Sequence, residues 1–313
     1  MAAPYSFGRL IIFFSLASLG CLSHHRDGRI HLSSFVDDLP RYERMIEQRM
    51  IFQSSLSRVK GGIVSHHLLA GRAIAGFFST AREAARSPQG RIIIIGPNHA
   101  SRGNALTAAS VREWKTPFGV CIPDREFIKR LVREGVVSID EEAFLFEHSI
   151  GSLLPFVRHY FPLRRVVPIL VNYRLSWDDA ARLGAVLART SDENDLVVLS
   201  ADFVHNRTVR EARAIDERSR GIIQSFYMGC TAEYVSRVEM DCRKGLLALC
   251  TFLRESGATD ADILLNTNGG EMFGGRGPVT SYFFAHEPCP ERRRRCLQAG
   301  EANKGWSFGE GGR

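Results

Sequence analysis

"RIIIIGPNHAS", residues 91–101, decides the fold. Ile92, Ile93, Ile94 and Ile95 form a run short enough for a strand and apolar on both faces. A strand at the centre of a parallel sheet, covered by helices on each side, needs that composition. Gly96-Pro97 stops the run, and Asn98 and His99 follow at once. In open α/β sheets ligands bind off the carboxyl ends of the strands, so a polar pair at that point marks a place to look for function.

Outward from this stretch, strands and helices alternate. Strands are expected at "GGIVS" (61–65), 91–96, "VVPILV" (166–171), "DLVVLSADF" (195–203), "ADILLNT" (261–267) and "VTSYFFA" (279–285). Apolar spacing near 3.6 predicts helices over 68–86, 124–135, 147–162, 176–190, 210–226 and 242–257. Asp124 and Gly135 read as start and stop of one helix, Pro155 as a kink or late start of another. Ser176, with Asp179 three residues on, reads as a capping box variant. The pattern predicts one α/β domain over 60–287, a central, mostly parallel sheet flanked by helices. Residues 22–59 read as a polar lead-in with one helix in "LPRYERMIEQRMIFQ".

The 313 residues are 44% hydrophobic, enough for an ordinary core without staples. Net charge is +7, much of it in Arg292, Arg293, Arg294 and Arg295. That run and the Gly-rich end make 288–313 a basic, disordered tail. No aromatic residues interleave with the arginines, so nucleic-acid binding is not expected. Seven cysteines without a CxxC pair suggest neither a disulfide framework nor a zinc ribbon. Cys250, on an apolar helix face, is expected in the core.

Arg9 precedes "LIIFFSLASLGC", an apolar run too short to span a bilayer but suited to a signal peptide. Gly20-Cys21 fits a bacterial lipoprotein cleavage site, though Ser18 stands where Leu is usual. Residues 1–21 are therefore expected to direct export to the cell envelope, with lipidated Cys21 as a membrane anchor. A buried N-terminal strand or helix in a cytoplasmic protein is the competing reading.

Three strand ends carry the chemistry. The first runs into His66 and His67, the second into Asn98 and His99, the third into Ala201 and Asp202 with His205 shortly after. Parallel strands would bring these turns to one sheet edge. Any one histidine there is ordinarily a capping residue. Several with an aspartate have the composition of a transition-metal site with groups able to move protons. Cys242 stands at a helix start, where the thiolate is favoured. Its plain alternative is a buried residue. Glu147 and His148 in "EHS" either cap a helix or serve the pocket as acid and base.

Together "GGIVSHH", "IIIIGPNHAS", "EHSIGSLLPF", "VVLSADFVH", "MDC" and "TSYFFA" resemble the Memo family, which includes AmmeMemoRadiSam system protein B. The resemblance implies a class III extradiol dioxygenase-like fold and a metal site of two histidines and a cysteine. Carried over, His66, His99 and Cys242 are the ligands; Asp202 and His205 line the pocket, and His148 matches the "EHS" histidine. Here the first motif departs from the family's "VPHAG", leaving His66 and His67 to compete. Arg243 and Lys244 follow Cys242 in place of the usual glycine. Should Cys242 turn away, Asp241 could restore the two-histidine, one-carboxylate triad of iron(II) oxygenases.

The implied cofactor is iron, with copper and zinc as alternatives. The expected activity is oxidation of a small molecule that the sequence does not name. His205 would move protons, with Asp202 orienting it and Asn98 in support. A non-catalytic accessory role beside radical-SAM and AMMECR-type partner proteins is the second reading, and a zinc hydrolase the third.

Overall fold

Ile92, Ile93, Ile94 and Ile95 lie at the centre of an eight-stranded sheet and are fully buried. Ile93 and Ile95 join the core on one face, Ile92 and Ile94 the core on the other. This is the period of two that puts successive strand side chains on opposite faces. Each such side chain contributes about 1.5–3 kcal/mol by leaving water.

The structure is a computed structural model that describes residues 22–24, 30–52, 59–224, 231–258, 261–275 and 277–286. The signal-like stretch 1–21, with Cys21, and the basic tail 288–313 lie outside the described residues. The strands are β1 (Leu22–His24), β2 (Ile30–Ser33), β3 (Gly61–Val64), β4 (Arg91–Pro97), β5 (Thr107–Ala109) and β6 (Trp114–Thr116), then β7 (Gly119–Cys121), β8 (Ser138–Ile139), β9 (Arg165–Val171), β10 (Leu196–Ser200), β11 (Asp262–Asn268) and β12 (Ser281–His286). The large sheet runs β11-β12-β3-β10-β4-β9-β5-β8. Its four central strands, β3, β10, β4 and β9, are parallel. β11 and β12 pair antiparallel and extend one side. This is the α/β architecture with a large, mostly parallel mixed sheet expected from the alternation.

Helices cover both faces. Trp177–Thr190 and Arg243–Glu255 supply Leu183, Leu187, Leu246 and Leu249 to the Ile93 side. Gly71–Glu83 and Leu154–Tyr160 supply Phe77, Phe78 and Phe156 to the Ile92 side. The expected caps form: Asp124 accepts from the Phe127 N–H at 3.0 Å and Ser176 from the Asp179 N–H at 3.0 Å. The helix expected over 147–162 is broken into His148–Gly151 and Leu154–Tyr160, with Pro155 in the first turn of the second. Proline tolerates a first turn because it has no N–H to leave unpaired.

The lead-in is less separate than its polarity suggests. Its helix, Leu39–Glu47, buries Tyr42 and Ile46, and Tyr42 packs edge-on to Phe156. β2 joins β1, β6 and β7 in a small four-stranded sheet that the sequence reading did not anticipate. Cys250 is in the core as expected, and it is disulfide-bonded, which the spacing of the cysteines did not suggest. Among the described residues no helix is long and apolar enough to cross a membrane.

Candidate metal centre

β3, β10 and β4 are neighbours, with Val64 level with Ser200 and Leu199 level with Ile95. Their carboxyl ends therefore deliver Ser65-His66, Ala201-Asp202 and Asn98-His99 to one edge of the sheet.

His66 is buried there, and its ring is fixed by a chain of two hydrogen bonds. Ser200 Oγ donates to the Ser149 carbonyl at 2.5 Å. A hydroxyl has one hydrogen, so toward His66 Nδ1, 3.1 Å away, Ser200 can only accept. Nδ1 therefore bears a proton, and Nε2 is the nitrogen able to offer a lone pair to an ion. Nε2 faces Asp241 Oδ2 at 3.4 Å and Asp202 Oδ2 at 3.6 Å.

His99 is held by Glu147. Its backbone N–H donates to Glu147 Oε2 and its Nδ1 to Oε1, both at 2.8 Å. Nε2 is left toward Asp241 Oδ2 at 3.5 Å. Burial alone would lower the His99 pKa, but the hydrogen bonds and charges of Asp241 and Glu147 outweigh it and raise it to about 10. Burial works against Glu147 as well, yet the contact with His99 holds its carboxyl at about 2.

Glu147 caps the short helix that begins at His148 by accepting from the Ser149 N–H at 2.9 Å. Phe146 before it has φ +65°, a conformation a bulky side chain rarely adopts. Ser149 Oγ donates to the Pro97 carbonyl at 3.0 Å. Only a glycine at 96 permits this approach, because a Cβ there would stand 2.8 Å from Ser149 Oγ. The turn stacks His148 on His99, with ring centroids 4.5 Å apart, and edge-on to His66 at 5.0 Å. Burial, then the charges of His66 and His99, lower the His148 pKa to about 4. It is neutral at pH 7.

Asp202 and Asp241 brace one another. The Asp202 N–H donates to the Asp241 carboxylate at 3.2 Å, and the Asp241 N–H donates to the Asp202 carbonyl at 3.1 Å. Ser65 Oγ donates to Asp202 Oδ1 at 2.5 Å. Burial penalises the Asp202 charge, but His66 and the Ser65 hydrogen bond prevail and hold its pKa below the ordinary value.

Two groups of ligand atoms result, His66 with His99 and His148, and His66 with Asp202 and Asp241, each within 4.8 Å of one another. Of the six residues singled out in sequence, His66, His99, His148 and Asp202 come together. Cys242 and His205 belong to neither group. Cys242 starts its helix without a side-chain cap bond and its thiol lies over Gly245, where a Cβ would come within 2.6 Å of Sγ. Burial and then the Asp241 charge push that thiol pKa well up, reversing the lowering expected at a helix start. Its neighbour Asp241 meets the histidines instead. His205 is exposed on the loop after β10. His67 is in neither group; its ring accepts from the Leu69 N–H at 3.4 Å and lies beside the Tyr282 ring. Asn98 ties its own loop by two bonds to the Arg102 backbone.

The donor set fits a transition-metal ion. Imidazole suits zinc, copper and iron. Two ligands at a tetrahedral angle on an ion with bonds of about 2.1 Å stand about 3.4 Å apart. The contacts of Asp241 with His66 and with His99, at 3.4 and 3.5 Å, have that length. Ser200 and Glu147 were missed in sequence as the groups that orient the two rings. The signal that could have found Glu147 was its place before "HS"; for Ser200 there was none beyond its position at a strand end.

The model of the Memo-like protein family matches residues 35–285. MEMO1 family protein MTH_45 of Methanothermobacter thermautotrophicus is 30% identical over 244 residues, covering 73% of this chain and 84% of its own length. A MEMO1 family protein of Aquifex aeolicus is 34% identical over 131 residues, 41% of this chain and 48% of that one. Among solved structures, uncharacterized protein JW3007 from Escherichia coli K12 aligns with a TM-score of 0.49 at 16% identity, covering 72% of this chain and 99% of that chain.

Proposed function

This chain belongs to the Memo-like protein family, and from that premise we propose that it binds one iron or copper ion at the strand-end cluster and oxidises a small molecule there. The observation that carries the reading is His66: its Nδ1 is committed to Ser200, and its Nε2 faces Asp241 in a cluster with His99. His66, His99 and Asp241 would hold the ion, with the carboxylate in the role the resemblance gives to Cys242. When bound, the ion supplies redox capacity and Lewis acidity.

The chain's own groups have separate tasks. Ser200 and Glu147 fix the tautomer and tilt of the two rings, as partners of metal-binding histidines do. Ser65 holds Asp202 ionised beside them. His148, neutral at pH 7 and half-open to solvent next to the exposed Phe35 ring, can take a proton from a bound molecule.

The test is anaerobic loading with iron(II), or loading with copper, followed by oxygen uptake with catechol-like substrates and an ascorbate redox assay. Turnover that disappears in His99→Ala is expected. Metal bound without turnover in either assay would overturn the enzymatic half of the proposal and leave a metal-binding accessory protein.

A further inference from the structure

The strand-end cluster is open on one side. The His66 side chain is 2% exposed, whereas those of His99 and His148 are 33% and 36% exposed. A molecule that reaches the site therefore passes the residues beside His99 and His148. Two loops supply them. One begins at Asn98 and carries His99 and Arg102; the other carries Phe146, Glu147 and His148. The loops are joined twice. Glu147 holds His99, and the guanidinium of the exposed Arg102 lies over the Phe146 ring, 5.1 Å from its centroid.

The Arg102–Phe146 pair is held in place from both loops. The buried Asn98 side chain is committed to Arg102: Nδ2 donates to its carbonyl at 2.8 Å, and Oδ1 accepts from its N–H at 3.1 Å. Among the described residues three non-glycines have positive φ, and two of them, Ser101 at +49° and Phe146 at +65°, lie in these loops. Such conformations persist only where the surrounding structure imposes them, and they gather at binding sites. Phe146 is 51% exposed, so burial of its ring does not account for the strain. Arg102 has no ion-pair partner among the described residues. A guanidinium held over a ring face keeps the N–H donors at its edge for an oxyanion. Phe35, 48% exposed, offers a second ring 5.2 Å from His148.

We infer that Arg102 is the specificity-determining residue of this opening: it receives the carboxylate of a small aromatic acid whose ring packs on Phe35 beside His148. The inference names a substrate class for the oxidation proposed above and rests on that reading of the site. A carboxylate is favoured over a phosphate, which carries nearly twice the charge, because Asp241 and Glu147 beside His99 oppose further negative charge.

The test compares a vicinal dihydroxybenzoate with its amide, two catechols of nearly the same shape that differ in charge. The full chain is titrated with each by calorimetry, with zinc(II), which does not oxidise the probe, and again without metal. The unsubstituted chain should bind the acid about tenfold or more tighter than the amide. Arg102→Met keeps an apolar stem over Phe146 and removes the charge; it should bring the two affinities within about twofold of each other. Arg102→Lys should restore part of the preference, since the charge returns without the planar fork. Phe35→Ala should weaken both probes alike, by about threefold or more. An amide bound as tightly as the acid, a preference that survives Arg102→Met, or binding of neither probe would overturn the inference. Oxygen uptake by the iron-loaded or copper-loaded chain reads the oxidation separately. Turnover without preference for the acid leaves the oxidation and overturns the inference. Preference without turnover removes the oxidation and leaves Arg102 as the carboxylate site of a binding protein.

Discussion

Two buried carboxylate clusters in this molecule behave in opposite ways. Asp202, at the end of β10, is braced by Asp241 and faces His66. Asp216, on the helix Val209–Gln224, faces neutral donors, Asn266 Nδ2 at 2.9 Å and Ser281 Oγ at 2.8 Å. Burial penalises the charge of both. At Asp202 the charge of His66 and the Ser65 hydrogen bond outweigh it, and the pKa falls. At Asp216 the two hydrogen bonds only partly offset it, and the pKa rises to about 6. The comparison teaches what burial alone cannot: a carboxylate kept ionised among imidazoles is prepared for a cation, and one satisfied by neutral donors is a structural fastening.

Substituting both clusters in the same way exposes the contrast most sharply. Asp241→Asn should weaken zinc(II) binding by about 10–100-fold, because it removes an anionic ligand, while Asp216→Asn leaves the affinity unchanged. Calorimetric titration of the two variants checks this, and equal losses would erase the distinction. A smaller effect belongs to Ser200→Ala. It frees His66 Nδ1 to change tautomer and should cost about tenfold in zinc affinity, with far-ultraviolet circular dichroism unchanged.

The smallest effect tests the other cluster. The folded-state pKa of Asp216, about 6, lies above the ordinary carboxylate value, so the folded chain holds a proton that the unfolded chain has released. That contribution is fully present below about pH 4 and is lost as pH rises through about 6. Denaturant melts of the unsubstituted chain, taken relative to Asp216→Asn, should show a decline of about 1 kcal/mol over this window once solvent screening is allowed for. A difference that grows with pH would mean that Asp216 is ionised in the fold and that the two clusters are alike.

Much of this was legible in the residues. The isoleucine run fixed β4 as central, and the rule that function gathers at strand ends brought His66, Asp202 and His99 to one edge. Asp241 was legible as the substitute for Cys242, but the choice between them was not. It depends on Gly245, whose missing Cβ leaves the buried thiol its place. The choice between His66 and His67 was equally closed, because it turns on Ser200 and Tyr282, both far away in sequence. His205 follows the motif but lies beyond the end of β10, where the path of the loop rather than the strand sets its direction. The small sheet escaped because strands such as Trp114–Thr116 and Gly119–Cys121 are three residues long, too short to display a period of two.

The most direct test of the strand-end cluster as a metal site is anomalous diffraction at the zinc edge from crystals grown with zinc(II). One peak per chain is predicted, about 2.0–2.1 Å from His66 Nε2, and absent from crystals of His66→Ala. A peak elsewhere on the chain, none at all, or one that survives His66→Ala would contradict the account.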